Sequence, residues 1–144
     1  MIRIANNTRE DVATGQWCRV EFAVRLDGSK WAKVFLEGIK SSSDFHGKGV
    51  EVERKLRTFF QQVANIGRCR KSSQFGPEQD GFHAFKLDAF NHLIRIPCFK
   101  HAGAWVLTHG FCKKGAQRGK GKWRPSDIAT AKLIMREHIQ QFPV

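Results

Sequence analysis

"FHAFKLDAFNHLIRIPCFKHAGAWVLTHGF", Phe82 to Phe111, decides the fold. Three apolar stretches, "FHAFKL", "HLIRIPCF" and "AWVLTHGF", are separated only by "DAFN" and "KHAG". Connections this short fit antiparallel hairpins and leave no room for crossovers. Pro97 has no N–H to give a ladder, so it predicts an edge position, a bulge or an early strand end. Trp105, Leu107, His109 and Phe111 alternate, which predicts that they share a face.

Upstream, "WCRVEFAVRL" also alternates. Cys18, Val20, Phe22, Val24 and Leu26 fall on one side and Arg19, Glu21 and Arg25 on the other, the pattern of a half-buried strand. After the turn "DGS", Trp31, Val34, Phe35 and Ile39 recur at helical spacing. "SSSDFHGKG" breaks that helix. A second follows, with Val52, Leu56, Phe59, Phe60, Val63 and Ile66 on one stripe and Gly67 suited to its left-handed cap. "RCRKSSQFGPEQDG" is a loop that brings Arg68, Arg70 and Lys71 close together. Downstream, "RPSDIATAKLIMREHIQQF" predicts a closing helix whose buried stripe is Ile128, Ala131, Met135, His138 and Phe142. The expected order is β-α-α-β-β-β-α, an α+β architecture with helices packed on a mostly antiparallel sheet.

The chain has 144 residues, enough for one core and short for two, so residues 1–144 are expected to form one domain. The polar stretch 1–16 is expected to be loosely held. The net charge is +12 and the pI about 10.1, which selects nucleic acid, an anionic membrane surface or an acidic protein as partner classes. No apolar run approaches the roughly 20 residues of a membrane span. "MIRIANNTREDVATGQ" has no apolar core of a secretory signal, so a cytoplasmic location is expected. Cys18, Cys69, Cys98 and Cys112 are scattered, with no CxxC pair or zinc-ligand spacing. They read as free thiols, and neither a metal nor a cofactor is expected.

The positive charge is concentrated. Between Asp88 and Asp127 no acid occurs, while Arg95, Lys100, Lys113, Lys114, Arg118, Lys120, Lys122 and Arg124 do. Such a stretch can neutralise a phosphate backbone and gain from counterion release. Gly115, Gly119 and Gly121 allow close approach of the loop backbone to a ligand. Trp123 is placed either to stack on a base or to pack beneath the loop. Arg118, Lys120, Lys122, Trp123 and Arg124 are therefore the candidate RNA-binding residues.

There is no paired-carboxylate motif, P-loop, GxSxG or HExxH, and Tyr is absent. The groups available for chemistry include His83, His92, His101, His109, Lys86, Arg95, Lys113 and Lys114. RNA cleavage needs little more. The substrate's 2′-hydroxyl is the nucleophile, Arg and Lys stabilise charge on the phosphorane, and His serves as acid or base.

The second half resembles the RelE/ParE toxin superfamily, most closely its phage-related HigB-like branch. "FHAFKL", "HLIRIPCF" and "WVLTHGFCKKGAQRGKGKWRPSDIATAKLIMREH" carry the resemblance: Leu87 ends one strand, Arg95 is central in the next, "HGFCKK" follows an apolar strand, and Ile128 and Ala131 lie early in the helix. It spans roughly Phe82 to His138, and the β-α-α order before it fits the same fold. The resemblance implies the toxin of a type II toxin–antitoxin pair, a metal-independent endoribonuclease (mRNA interferase) that works on the translating ribosome. Lys86, Arg95, Lys113 and Lys114 would act on the scissile phosphate, and His109, ahead of His138 or His92, would be the acid or base. The implied partners are mRNA, the ribosome and a helix-turn-helix antitoxin. The chain departs from the pattern in lacking Tyr and in its long N-terminal segment and exit loop. Two other readings are a ParE-like DNA gyrase inhibitor and a non-catalytic basic nucleic-acid-binding module.

Overall fold

The computed structural model describes residues 7–114 and 122–144. They form an α+β fold in which three α-helices pack on a mixed, mostly antiparallel sheet of seven strands. In chain order these are β1 (Glu10–Thr14), β2 (Arg19–Phe22), α1 (Trp31–Ser41), α2 (Gly49–Ile66), β3 (Phe75–Pro77), β4 (His83–Ala89), β5 (His92–His101), β6 (Ala104–Leu107), β7 (Phe111–Lys114) and α3 (Pro125–Gln141). The sheet runs β1-β2-β6-β5-β4-β3, with β7 also beside β5. The expected β4–β5 and β5–β6 hairpins are antiparallel, and β2 lies parallel to β6. Both hairpins close through two residues of positive φ, Phe90 and Asn91 in one and Ala102 and Gly103 in the other. That geometry matches the twist of the strands it joins.

The sheet is covered on both faces. Val20, Phe22, Phe85, Ile94, Ile96, Cys98 and Leu107 pack with α1 and α2. Ala84, Phe99, Ala104, Val106 and Phe111 pack with Ala131 and Ile134 of α3. β2 is therefore not half-buried as its alternation suggests. Its polar side also meets α3, where Glu21 is buried against His138. The helical stripes shift slightly from those expected. In α1, Ala32, Leu36 and Ile39 are buried while Trp31 and Val34 face solvent. The α2 stripe holds from Val52 to Val63, but Ile66 is exposed, and Gly67 caps the helix at φ 81° with its N–H on the Val63 carbonyl. In α3, Ile134 joins Ala131 and His138 in the core. The polar opening, expected to be loosely held, contributes β1 at the sheet edge.

The stretch "AWVLTHGF" is not one strand. Cys98 on β5 faces Leu107, whereas Arg95 faces Phe111, so three steps along β5 oppose four along its partner. The extra residue is a bulge at Thr108–Gly110 between β6 and β7. Pro97 lies opposite it, in the middle of the sheet rather than at an edge. Its carbonyl accepts both the Thr108 N–H at 2.9 Å and the Thr108 hydroxyl at 3.1 Å. A strand residue's N–H and C=O point the same way, so the donor that proline lacks would face the interruption. Gly110 packs directly under the Phe35 ring, which a Cβ at this position would displace. Beyond the bulge the side chains exchange faces. Trp105 and Leu107 face α1 and α2, Phe111 faces α3, and the four-residue face expected from alternation does not form.

Candidate functional site

The bulge decides which lysine of "HGFCKK" joins the other cations. Lys113 pairs with Leu93 in register, one alternation from the Arg95–Phe111 pair, and so shares their face on the α3 side. Lys86 faces Arg95 directly across β4–β5 and lies on that side too. Lys114 pairs with His92. Without the extra residue, Lys113 would point toward α1 and α2.

Four cations thus gather where α3 begins: Lys86, Arg95, Lys113 and Arg124. The stretch that is acid-free in sequence is not acid-free in space. Lys86 pairs with Glu78 at 3.2 Å, Arg95 with Asp88 at 3.0 Å and Arg124 with Asp127 at 2.8 Å. The two acids that bound the stretch fold back onto it. Lys113 has no carboxylate partner among the described ion pairs, and its ammonium donates to the Lys122 carbonyl. Burial, then Arg95 and Arg124, lower its pKa, with Asp127 and Glu78 opposing. Lys113 is thus the least compensated charge of the group.

His109 sits beneath this cluster and is 6% exposed. Its Nδ1 lies 3.0 Å from the Thr108 hydroxyl, which itself donates to Pro97 O. The Thr108 hydroxyl stands between two acceptors, Pro97 O and Nδ1, and the carboxylate opposite Nε2 favours the tautomer with the imidazole proton on Nε2. Nε2 points to Asp127 Oδ1 at 3.5 Å. Burial pushes the His109 pKa down, and Asp127 only partly restores it. Asp127, in the first turn of α3, thus connects His109, Arg124 and the helix's positive end.

The remaining expectations separate. Trp123 is not a stacking platform. It is 4% exposed and packs against Phe82 and Phe111 at ring distances of 6.4 and 5.8 Å. Lys122 and Arg124 are exposed and flank it. Arg118, Lys120 and the side chain of Lys114 lie outside the described residues. His138 is fully buried, with Nδ1 accepting the Val24 N–H at 3.0 Å. It lies eleven residues from Asp127, about 16 Å along α3. His92 lies near Asp44 and Phe45 on the other face of the sheet. Sequence reasoning missed Glu78, Asp88 and Asp127 as partners of the cations. Asp127, three residues after Arg124 at a helix start, is the one whose spacing signals the pairing.

Among the described residues no three His, Cys, Asp or Glu side chains gather in a way that could hold a metal ion, and no helix is long and apolar enough to cross a membrane. No family model, no characterised protein and no solved structure matches the chain.

Proposed function

We propose that the chain is a metal-independent endoribonuclease, the toxin of a type II toxin–antitoxin pair with a RelE-like fold, acting on mRNA at the ribosome. One observation carries this reading: Lys86, Arg95, Lys113 and Arg124 converge on a single face above His109 and Asp127. In-line attack by the 2′-hydroxyl needs cations fixed where the phosphorane gains charge. Arg95 and Lys113, held by the sheet, supply them. Lys86 supports Arg95 from the neighbouring strand. The lowered pKa suits Lys113 to protonate the leaving 5′-oxygen as the P–O5′ bond breaks, a step that leaves it a neutral amine, while the proton of the attacking 2′-hydroxyl passes to solvent water. His109 touches protein groups through both nitrogens and acts by positioning Asp127 and, through it, Arg124. The partner that restrains such a cationic protein is an antitoxin with an acidic contact surface, because opposite charge speeds encounter.

Induction of the free protein followed by mapping of RNA 5′ ends tests the reading. The expected result is growth arrest with new mRNA ends, unaffected by chelator in a reconstituted translation reaction and absent with Lys113→Ala. Intact mRNA alongside accumulated gyrase–DNA cleavage complexes would transfer the assignment to gyrase inhibition. Failure of the purified protein to bind the product of any adjacent gene would remove the antitoxin.

A further inference from the structure

A second basic surface lies on the opposite face of the sheet, and it carries aromatic rings. His83 on β4 and Trp105 on β6 reach over Cys98 and meet at a ring distance of 4.5 Å, tilted by 41°. Phe75 on β3 closes against both, at 5.5 Å from His83 and 5.3 Å from Trp105. Lys100, the register partner of Trp105, places its ammonium 5.4 Å from the indole. The rings are half-buried and Lys100 is exposed.

Trp17 stands two residues before Arg19 of β2, which pairs with Ala104 next to Trp105, and it reaches the end of α2. Its backbone N–H is fixed to the Ala64 carbonyl at 2.9 Å, and its ring lies on Gly67. A Cβ at position 67 would fall 2.5 Å from Trp17 Nε1, so the glycine that caps α2 also makes the seat for the indole. The ring is nonetheless 67% exposed. One side is held and the other is open. Arg68, Arg70 and Lys71 follow Gly67 directly and are exposed. Among the described ion pairs, none involves these three residues or Lys100.

We infer that this end of the sheet, formed by Trp17, His83 and Trp105 with Lys100, Arg70 and Lys71, binds single-stranded RNA by base stacking. Flat rings accept any base on a π-face, and unpaired cations beside them track the backbone. A duplex keeps its base faces covered and cannot use the rings. The Lys100 ammonium, on a flexible stem, can leave the indole for a phosphate when a base takes its place. Burial and Lys100 both push the His83 pKa down, which keeps that ring neutral at pH 7. This surface is separate from the proposed catalytic cluster. Arg95 and Lys100 are five residues apart on β5, about 16 Å, and face opposite ways.

The test is fluorescence anisotropy with a short 2′-O-methyl oligouridine, which lacks the attacking hydroxyl and reports binding alone. Trp17→Ala should weaken binding about 10- to 100-fold, the scale of one lost base stack. Trp17→Phe should stay within about threefold of the parent, since it keeps a ring. Removing Arg70 and Lys71 together should reduce the salt slope by about one to two. The probe cannot be cleaved, so the binding it reports stands or falls separately from the cleavage reading on which the other face depends. Unchanged affinity in Trp17→Ala, with an intact urea midpoint, would overturn the inference. Equal affinity for a duplex of the same length would also overturn it. Binding of poly-glutamate that Trp17→Ala weakens as much would assign the surface to an acidic protein instead.

Discussion

The two basic surfaces are built from the same residue types and differ in what holds them. On the α3 side, Lys86, Arg95 and Arg124 each have a carboxylate within 3.2 Å, supplied by Glu78, Asp88 and Asp127. On the other side, Arg70, Lys71 and Lys100 have no ion-pair partner among the described residues, and rings stand in place of acids. Paired cations give up long-range field in exchange for fixed position. Unpaired exposed cations keep the field and hold no particular geometry. The first arrangement suits stabilising a transition state and the second suits capturing a polyanion. Net charge alone, equal in kind on both faces, does not distinguish them.

The sharpest way to break this comparison is to remove the one cation of the first surface that has no carboxylate. Lys113→Ala should lower single-turnover cleavage at saturating RNA or ribosomes by ~100-fold or more, the scale of losing one preorganised donor. Lys114→Ala should stay within a few-fold, because the bulge turns position 113, not 114, to the face of Arg95. A larger loss at Lys114 than at Lys113 would mean that the face exchange at Thr108–Gly110 does not select the phosphate ligand.

A smaller effect tests whether the acids are structural supports. Asp127→Asn keeps the volume but removes the charge shared by His109 and Arg124. It also removes the acid from the first turn of α3. Urea denaturation should show a loss of about 1–2 kcal/mol, the sum of one charge-assisted bond and a helix-terminus interaction. No change in the urea midpoint would show that Asp127 contributes nothing to anchoring the helix.

The pH dependence follows from His109. Its pKa is lowered in the folded chain, chiefly by burial. Between that value and the ordinary ~6.5 the unfolded chain binds more protons than the folded one. Stability therefore rises with pH through this window and is lost as pH falls through it. His83 is lowered as well and contributes with the same sign. His109→Gln should flatten the slope of unfolding free energy against pH in part, by less than His109→Gln with His83→Gln. An unchanged slope in the double variant would place the titration elsewhere.

Much of the fold was legible because alternation and helical spacing act locally. β4, β5, α2 and α3 follow from which residues can share a face, and the two hairpins follow from how little chain separates the strands. The bulge was not legible. "WVLTHGF" alternates without interruption, so nothing local marks where an extra residue enters; only the pairing with β5, with Pro97 opposite, reveals it. That one residue reverses Phe111 and Lys113 and changes the reading of the site. The burial of Glu21 and Trp123 was hidden for a related reason. Each depends on α3, an element far off in sequence or just beginning, covering a face whose partner periodicity cannot name. The acid-free stretch misled in the same way, since Glu78 reaches Lys86 across a turn and Asp88 and Asp127 fold inward from its two ends.

The smallest expected effect lies between the two kinds of cation. Lys122 is exposed and outside any ion pair among the described residues, yet its backbone carbonyl receives the Lys113 ammonium. Side chain and main chain therefore make separable contributions. Lys122→Ala removes a charge and keeps the carbonyl, so Lys113 stays in place. Binding of RNA should weaken modestly, with its salt slope reduced by about one. Cleavage at saturation should remain within about twofold, because only ground-state attraction is lost. Lys122→Pro retains the carbonyl too but fixes φ in the segment that enters α3. If the proline variant lowers saturated cleavage while the alanine variant does not, the main chain is what holds Lys113 over the phosphate. If the alanine variant alone lowers it, the Lys122 side chain belongs with the paired, positioned cations and not with those that only attract.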